Sequence, residues 1–150
     1  MQVGEDAPAF SLLDDQGQQV SLDDCRGHRV VLYFYPKDMT SGCTQESCEF
    51  RDLFPRFKKK GVLIFGVSKD SVASHQKFKA KYDLPFPLLS DPDAEVCQAY
   101  GVWKEKSMYG RKYMGIERTT VVIGPDGKIL MVFPKVRVAD HAQAVYESLA

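Results

Sequence analysis

The sequence has no run approaching the roughly 20 apolar residues that a membrane-spanning helix requires. Neither sign of charge is in excess: twenty Lys and Arg balance twenty Asp and Glu. The basic surplus usual in nucleic-acid binders is therefore missing, and nothing favours an anionic membrane as partner. The N-terminal Met1-Gln2-Val3-Gly4-Glu5-Asp6 is acidic and lacks the apolar stretch of a signal peptide. The expected location is the cytosol, where thiols are kept reduced. There is no internal repeat, low-complexity tract or linker. The expectation is one compact domain over 1–150, long enough to bury a core. The three histidines, His28, His75 and His141, are scattered and show no metal-ligand spacing.

Four cysteines are present: Cys25, Cys43, Cys48 and Cys97. In a reducing compartment, close cysteines point to catalysis or metal binding before structural disulfides. A zinc module needs about four ligands, commonly in closely spaced pairs, and here only Cys43 and Cys48 are close. A thioredoxin- or isomerase-type oxidoreductase would carry Cys-x-x-Cys at a helix start, whereas this chain has Cys43-x-x-x-x-Cys48. Both are weaker readings than a reactive Cys43.

Phe10–Leu13 and Gln19–Leu22 bracket a Gly-containing turn and predict a hairpin. Residues 29–35 (RVVLYFY) read as a strand buried on both faces, ended by Pro36. A helix is expected to run on to about Lys60, with Phe50, Leu53, Phe54 and Phe57 on one face and Pro55 kinking or interrupting it. Residues 62–67 predict a second buried strand. Val72, His75, Phe78 and Tyr82 mark a helix capped by Ser71. A short helix follows from Asp91 to near Gly101. Thr119–Ile123 and Lys128–Phe133 are strands around Gly124-Pro125-Asp126-Gly127, a hairpin signal. Val138–Leu149 is the last helix. This order predicts an α/β, thioredoxin-like fold: a central mixed β-sheet flanked by helices, with an N-terminal β-hairpin extension.

Cys43 falls in the first turn of the helix that follows a buried strand. Unpaired N–H groups and the positive end of the helix dipole favour an anion there, and the thiolate is the nucleophilic form of cysteine. Thr40, three residues earlier, can aim its hydroxyl at the sulfur or at a bound oxygen. Pro36 can wall the pocket without a competing N–H.

These residues resemble a known family. Pro36-Lys37-Asp38-Met39-Thr40-Ser41-Gly42-Cys43 is similar to the peroxiredoxin signature Pro-x-x-x-Thr-x-x-Cys. Cys48, Arg118 before Thr119-Thr120-Val121, and Gly101-Val102-Trp103 look like the subgroup called bacterioferritin comigratory protein or peroxiredoxin Q. The resemblance runs from Gly4-Glu5-Asp6-Ala7-Pro8 to the last helix. Many relatives carry proline where this chain has Ser41, which leaves the core roles untouched.

The resemblance implies a monomeric, thioredoxin-dependent hydroperoxide reductase of the atypical two-cysteine type, with no metal, haem or flavin. Hydrogen peroxide and organic hydroperoxides would be substrates, and thioredoxin or a similar dithiol the reductant. Cys43 would attack the O–O bond and become a sulfenic acid. Thr40 would hydrogen-bond thiolate and peroxide, Pro36 would shield the sulfenate, and Arg118 would stabilise the thiolate and the developing oxyanion. Glu46 would orient an arginine. Cys48 would resolve the sulfenate as an intramolecular disulfide. Five residues along an intact helix put the Cα atoms roughly 8.7 Å apart on different faces, beyond the roughly 7 Å bridging limit, so the helix must unwind first.

The remaining residues have plainer readings. Cys97 reads as core, with a reserve resolving role because some relatives use a cysteine from elsewhere. Cys25 reads as an incidental loop residue open to oxidation. His75 is expected to be packed or half-exposed. Trp103 and Phe54 read as core or pocket wall, a placement suited to apolar hydroperoxides.

Overall fold

The computed structural model describes residues 1–149. The strands are β1 (Ser11–Asp14), β2 (Gln19–Ser21), β3 (Val30–Phe34), β4 (Leu63–Ser68), β5 (Leu88–Ser90), β6 (Trp103–Met108), β7 (Arg111–Ile116), β8 (Thr119–Ile123) and β9 (Ile129–Phe133). The helices are α1 (Ser41–Lys59), α2 (Val72–Tyr82), α3 (Glu95–Ala99) and α4 (His141–Ser148), with a 3-10 turn at Asp23–Cys25. Seven strands form one sheet in the order β2-β1-β5-β4-β3-β8-β9. β3, β4 and β5 run parallel, while β8 joins β3 antiparallel and β9 continues it. The result is a mixed sheet of thioredoxin-like α/β type. The N-terminal hairpin extends this sheet, because β1 pairs antiparallel with β5.

β3 is central because its residues satisfy both faces. Val30, Leu32 and Phe34 enter one core layer, with Phe10, Cys97 and Tyr100. Val31, Tyr33 and Tyr35 enter the other, with Phe50 and Phe57 of α1 and Phe78 of α2. Alternation of side chains along a strand requires this split, and the near-continuous apolar run reflects burial on both sides. Tyr33 lies across Gly66 of β4, where a Cβ would sit 2.7 Å from the ring. Its hydroxyl bonds Ser47 of α1 at 2.9 Å, which fixes that helix over the end of β3.

Two sequence expectations change, and one hairpin is added. α1 passes through Pro55 without interruption. Pro55 is exposed, and Phe50 and Phe57 on either side of it hold the helix in the core. The last helix starts at His141, three residues later than predicted, after Asp140 adopts φ 61°. β6 and β7 form a separate hairpin that hydrophobic patterning does not reveal. Both its faces are largely wet, so the apolar alternation of a half-buried strand never develops. Its local signal is the two-residue Tyr109-Gly110 turn, both residues at positive φ, between paired Met108 and Arg111. Among the described residues, no helix is long and apolar enough to cross a membrane.

Candidate active site

Cys43 is the third residue of α1 and is 1% exposed. Thr40 occupies the N-cap position with extended backbone, but its side chain does not cap the helix. Its hydroxyl donates to the Lys37 carbonyl at 2.7 Å, so its oxygen is left as an acceptor facing outward. The first N–H groups of α1 thereby lack a side-chain cap and remain available to an anion. Of the two targets expected for this hydroxyl, the sulfur and a bound oxygen, its proton is aimed at neither here, being donated to Lys37.

The cation at the site comes from the segment between β7 and β8. Arg118 Nη2 donates to Cys43 Sγ at 3.4 Å, and its Nη1 donates to Glu46 Oε1 at 2.7 Å. One guanidinium fork thus serves two groups one turn apart on α1, a geometry that a lysine cannot reproduce. Gly42 makes room for it: a Cβ there would lie 3.2 Å from Arg118 Nη2. Pro36 is half-buried and borders a cavity of about 270 Å³ together with Lys37, Lys69, Trp103, Lys106 and Met114. Lys69 sits over the Trp103 ring at 4.9 Å. Burial and Arg118 push the Lys106 amine down, whereas Cys43 pulls it up.

The other cysteines have different surroundings. Cys48 is half-buried on α1, and its thiol is pushed up by burial. It is not bridged to Cys43. Cys97 belongs to the core layer on the opposite side of the sheet from Cys43, where burial and the Asp91 carboxylate push its thiol well up. Cys25 is also buried, contrary to its expected exposure: the 3-10 turn directs it into the core, and burial pushes its thiol up. Phe54 lines a different groove, against Phe86, and does not share the cavity beside Pro36. His75, expected to be packed or half-exposed, is fully buried.

Glu46 is 1% exposed, and among the described residues its Oε2 has no hydrogen-bond partner. Burial pushes its carboxyl up to about 7, which the Arg118 guanidinium only partly offsets. His141 Nε2 lies 4.0 Å from Oε2 and bonds the Thr120 hydroxyl at 2.7 Å. Burial, reinforced by Arg118, pushes this imidazole down to about 4.

These two groups make opposite contributions to stability. A carboxyl whose folded value lies above its ordinary 4.5 favours folding when protonated, so its contribution is lost as pH rises to about 7. An imidazole whose folded value lies below its ordinary 6.5 favours folding when neutral, so its contribution is lost as pH falls to about 4. At about 1.4 kcal/mol per pH unit, each is worth about 3 kcal/mol, and the slopes oppose one another between pH 4.5 and 6.5. Glu46→Gln should therefore give a chain whose stability climbs with pH from 4 to 6.5, and His141→Asn one whose stability declines from 4.5 to 7. Urea midpoints measured across this range check it; parallel profiles for the two variants would refute the assignment.

Comparison with known proteins places these features in context. The profile of the AhpC/TSA family matches residues 3–132. The chain is 54% identical to the putative peroxiredoxin bcp of Coxiella burnetii, over 97% of this chain and 96% of that one. It is 45% identical to peroxiredoxin Bcp of Bacillus subtilis, over 99% and 95%. Among solved structures, a C47S mutant of Xylella fastidiosa PrxQ superposes with a TM-score of 0.94 at 40% identity, covering 99% of this chain and 95% of that one. The Xanthomonas campestris bacterioferritin comigratory protein, described there for its alkyl peroxide reduction activity, gives 0.93 at 45% identity, covering 99% and 97%.

Proposed function

This chain belongs to the AhpC/TSA family, and from that premise we propose that it reduces hydroperoxides through Cys43, with Cys48 as the resolving thiol. The observation that carries this reading is the Arg118 fork at 3.4 Å from the Cys43 sulfur, at the open start of α1. Positive charge there favours the thiolate and the negative charge that develops on the leaving oxygen.

The thiolate attacks the nearer oxygen of ROOH. The S–O bond forms as the O–O bond breaks, giving Cys43 sulfenic acid and an alkoxide that takes a proton from water. Thr40 accepts a hydrogen bond from the peroxide O–H, because its own proton is held by Lys37. Pro36 shields the sulfenate from one side. The Cys48 thiol loses its proton and its sulfur attacks the sulfenic sulfur; the S–O bond breaks as the S–S bond forms, and the departing hydroxide takes up that proton and leaves as water. A dithiol, with thioredoxin as the proposed donor, reduces that disulfide by exchange.

Resolution requires α1 to open. In the folded helix the two Cα atoms are roughly 8.7 Å apart by helix geometry. Opening breaks the Glu46–Arg118 pair, the Ser47–Tyr33 hydrogen bond and the bond from Asp140 N–H to Glu49. Both cysteines lie on one helix of one chain, so a monomer suffices. A reducing cytosol suits this cycle, since Cys43 and Cys48 must both start reduced.

The test is peroxide consumption coupled to thioredoxin. Wild type should turn over continuously. Cys48→Ser should consume about one peroxide per chain and stall until an external thiol is added. Sustained thioredoxin-linked turnover by Cys48→Ser would assign resolution elsewhere. Hydrogen exchange should show protection lost across the N-terminal turns of α1 on oxidation.

A further inference from the structure

We propose that the buried Asp38–His75 pair is the anchor that positions Thr40 against the peroxide. The proposal rests on the peroxidase reading and extends it to two residues outside the chemistry described above. Asp38 is 4% exposed and His75 0%. A carboxylate so enclosed is tolerated only when its oxygens are satisfied, and here they are. Oδ1 accepts from the Tyr35 hydroxyl at 2.5 Å. Oδ2 accepts from the Ser74 hydroxyl at 2.8 Å and faces His75 Nδ1 at 2.7 Å. His75 Nε2 faces the Leu89 carbonyl at 3.0 Å. A carbonyl can only accept, so Nε2 carries hydrogen, and a carboxylate opposite Nδ1 calls for a second one. The ring is thus held at both nitrogens, between Asp38 and the Leu89 carbonyl.

The main chain is tied as firmly. The Asp38 N–H donates to Asp70 Oδ2 at 2.8 Å, and Ser68 Oγ donates to the same oxygen at 2.6 Å. One loop residue is therefore joined to the end of β4, to α2 and to β5. The next residue, Met39, is held at φ 67°, a left-handed conformation that a non-glycine residue keeps only when its surroundings impose it. Thr40 follows directly, with its hydroxyl turned onto Lys37. The anchor fixes the segment on one side of Met39, and the start of α1 fixes it on the other.

Asp38, Asp70 and His75 also place side-chain atoms within 4.8 Å of one another. The hydrogen-bond partners just named already occupy those atoms, which makes the cluster a brace and leaves no vacant ligand set. None of these bonds involves α1 beyond its cap. The loop from Pro36 to Asp38 can keep its shape while the first turns of the helix open, and Thr40 returns to its place when they re-form.

The experiment separates two reactions of Cys43. Peroxide reduction needs Thr40 in place, whereas alkylation by iodoacetamide needs the thiolate alone. Asp38→Ala should lower the second-order rate with hydrogen peroxide about 10- to 100-fold, the scale of loss that a misplacement of about 1 Å can cause. Its alkylation rate should stay within about threefold of wild type. Asp38→Asn should recover most of the peroxide rate, because its oxygen still accepts from Tyr35 and its amide can donate to a neutral His75. A wild-type peroxide rate in Asp38→Ala, or equal losses in both reactions, overturns the anchor. If Asp38→Ala does not fold, Ser74→Ala serves: a several-fold loss confined to peroxide supports the anchor, and no loss overturns it. Wild type failing to consume peroxide would instead defeat the underlying peroxidase reading.

Discussion

Cys43→Ser is expected to abolish peroxide consumption, with a loss on the order of 10⁴-fold or more, while the chain stays folded. A serine hydroxyl is not ionised near neutral pH, so the anion that should attack the O–O bond is absent even with Arg118 in place. No other thiol stands in a comparable field. Cys97 and Cys25 are buried and pushed up, and Cys48 is pushed up by burial on the same helix. Trp103, the single tryptophan of the chain, borders the cavity beside Pro36. Its fluorescence in stopped flow should change on mixing wild type with peroxide and stay flat for Cys43→Ser. Residual turnover near the wild-type rate would move the nucleophile to another cysteine.

Arg118→Ala should be the next most damaging change, slowing the peroxide step about 10²- to 10³-fold. Two effects combine. The sulfur loses the cation at 3.4 Å, so both the thiolate and the charge on the departing oxygen lose stabilisation. Among the described residues Glu46 loses the one hydrogen-bond partner of its buried carboxylate, and without that offset burial drives it further toward the neutral form. Arg118→Lys keeps the charge but cannot span both contacts. It should recover about tenfold of the loss at most. Rapid-mixing rates at fixed pH, with circular dichroism to check folding, measure both variants. Equal rates for Arg118→Ala and wild type would remove Arg118 from the chemistry.

The candidate site is legible in the sequence where it is local. A buried strand, a proline stop and a helix start put Pro36, Thr40 and Cys43 within eight residues, and their order alone conveys an anion-binding turn. Arg118 entered by family resemblance, since nothing in its own neighbourhood indicates that it meets Cys43. Glu46 was suggested in the same way. The Asp38–His75 pair was not legible: 37 residues separate the partners, and His75 reads simply as one apolar-face position of α2. The β6–β7 hairpin escaped because a strand pair without a dry face carries no apolar alternation.

Short-range features of the chain set the local grammar: strands buried on both faces, the helix that opens just before Cys43, and the spacing that forbids a Cys43–Cys48 disulfide while that helix is intact. These follow from periodicity, turn residues and helix dimensions, which act over a few residues. Tertiary structure decided which charges meet the sulfur and which thiols are kept from it. β8 pairs with β3, so the segment before β8 delivers Arg118 to the start of α1, 75 residues away in sequence. α1 and α3 carry Cys43 and Cys97 into the separate core layers that the two faces of β3 help to form. Such contacts depend on strand order and on which face each side chain takes. Those are properties of the assembled sheet, which short-range patterns do not encode.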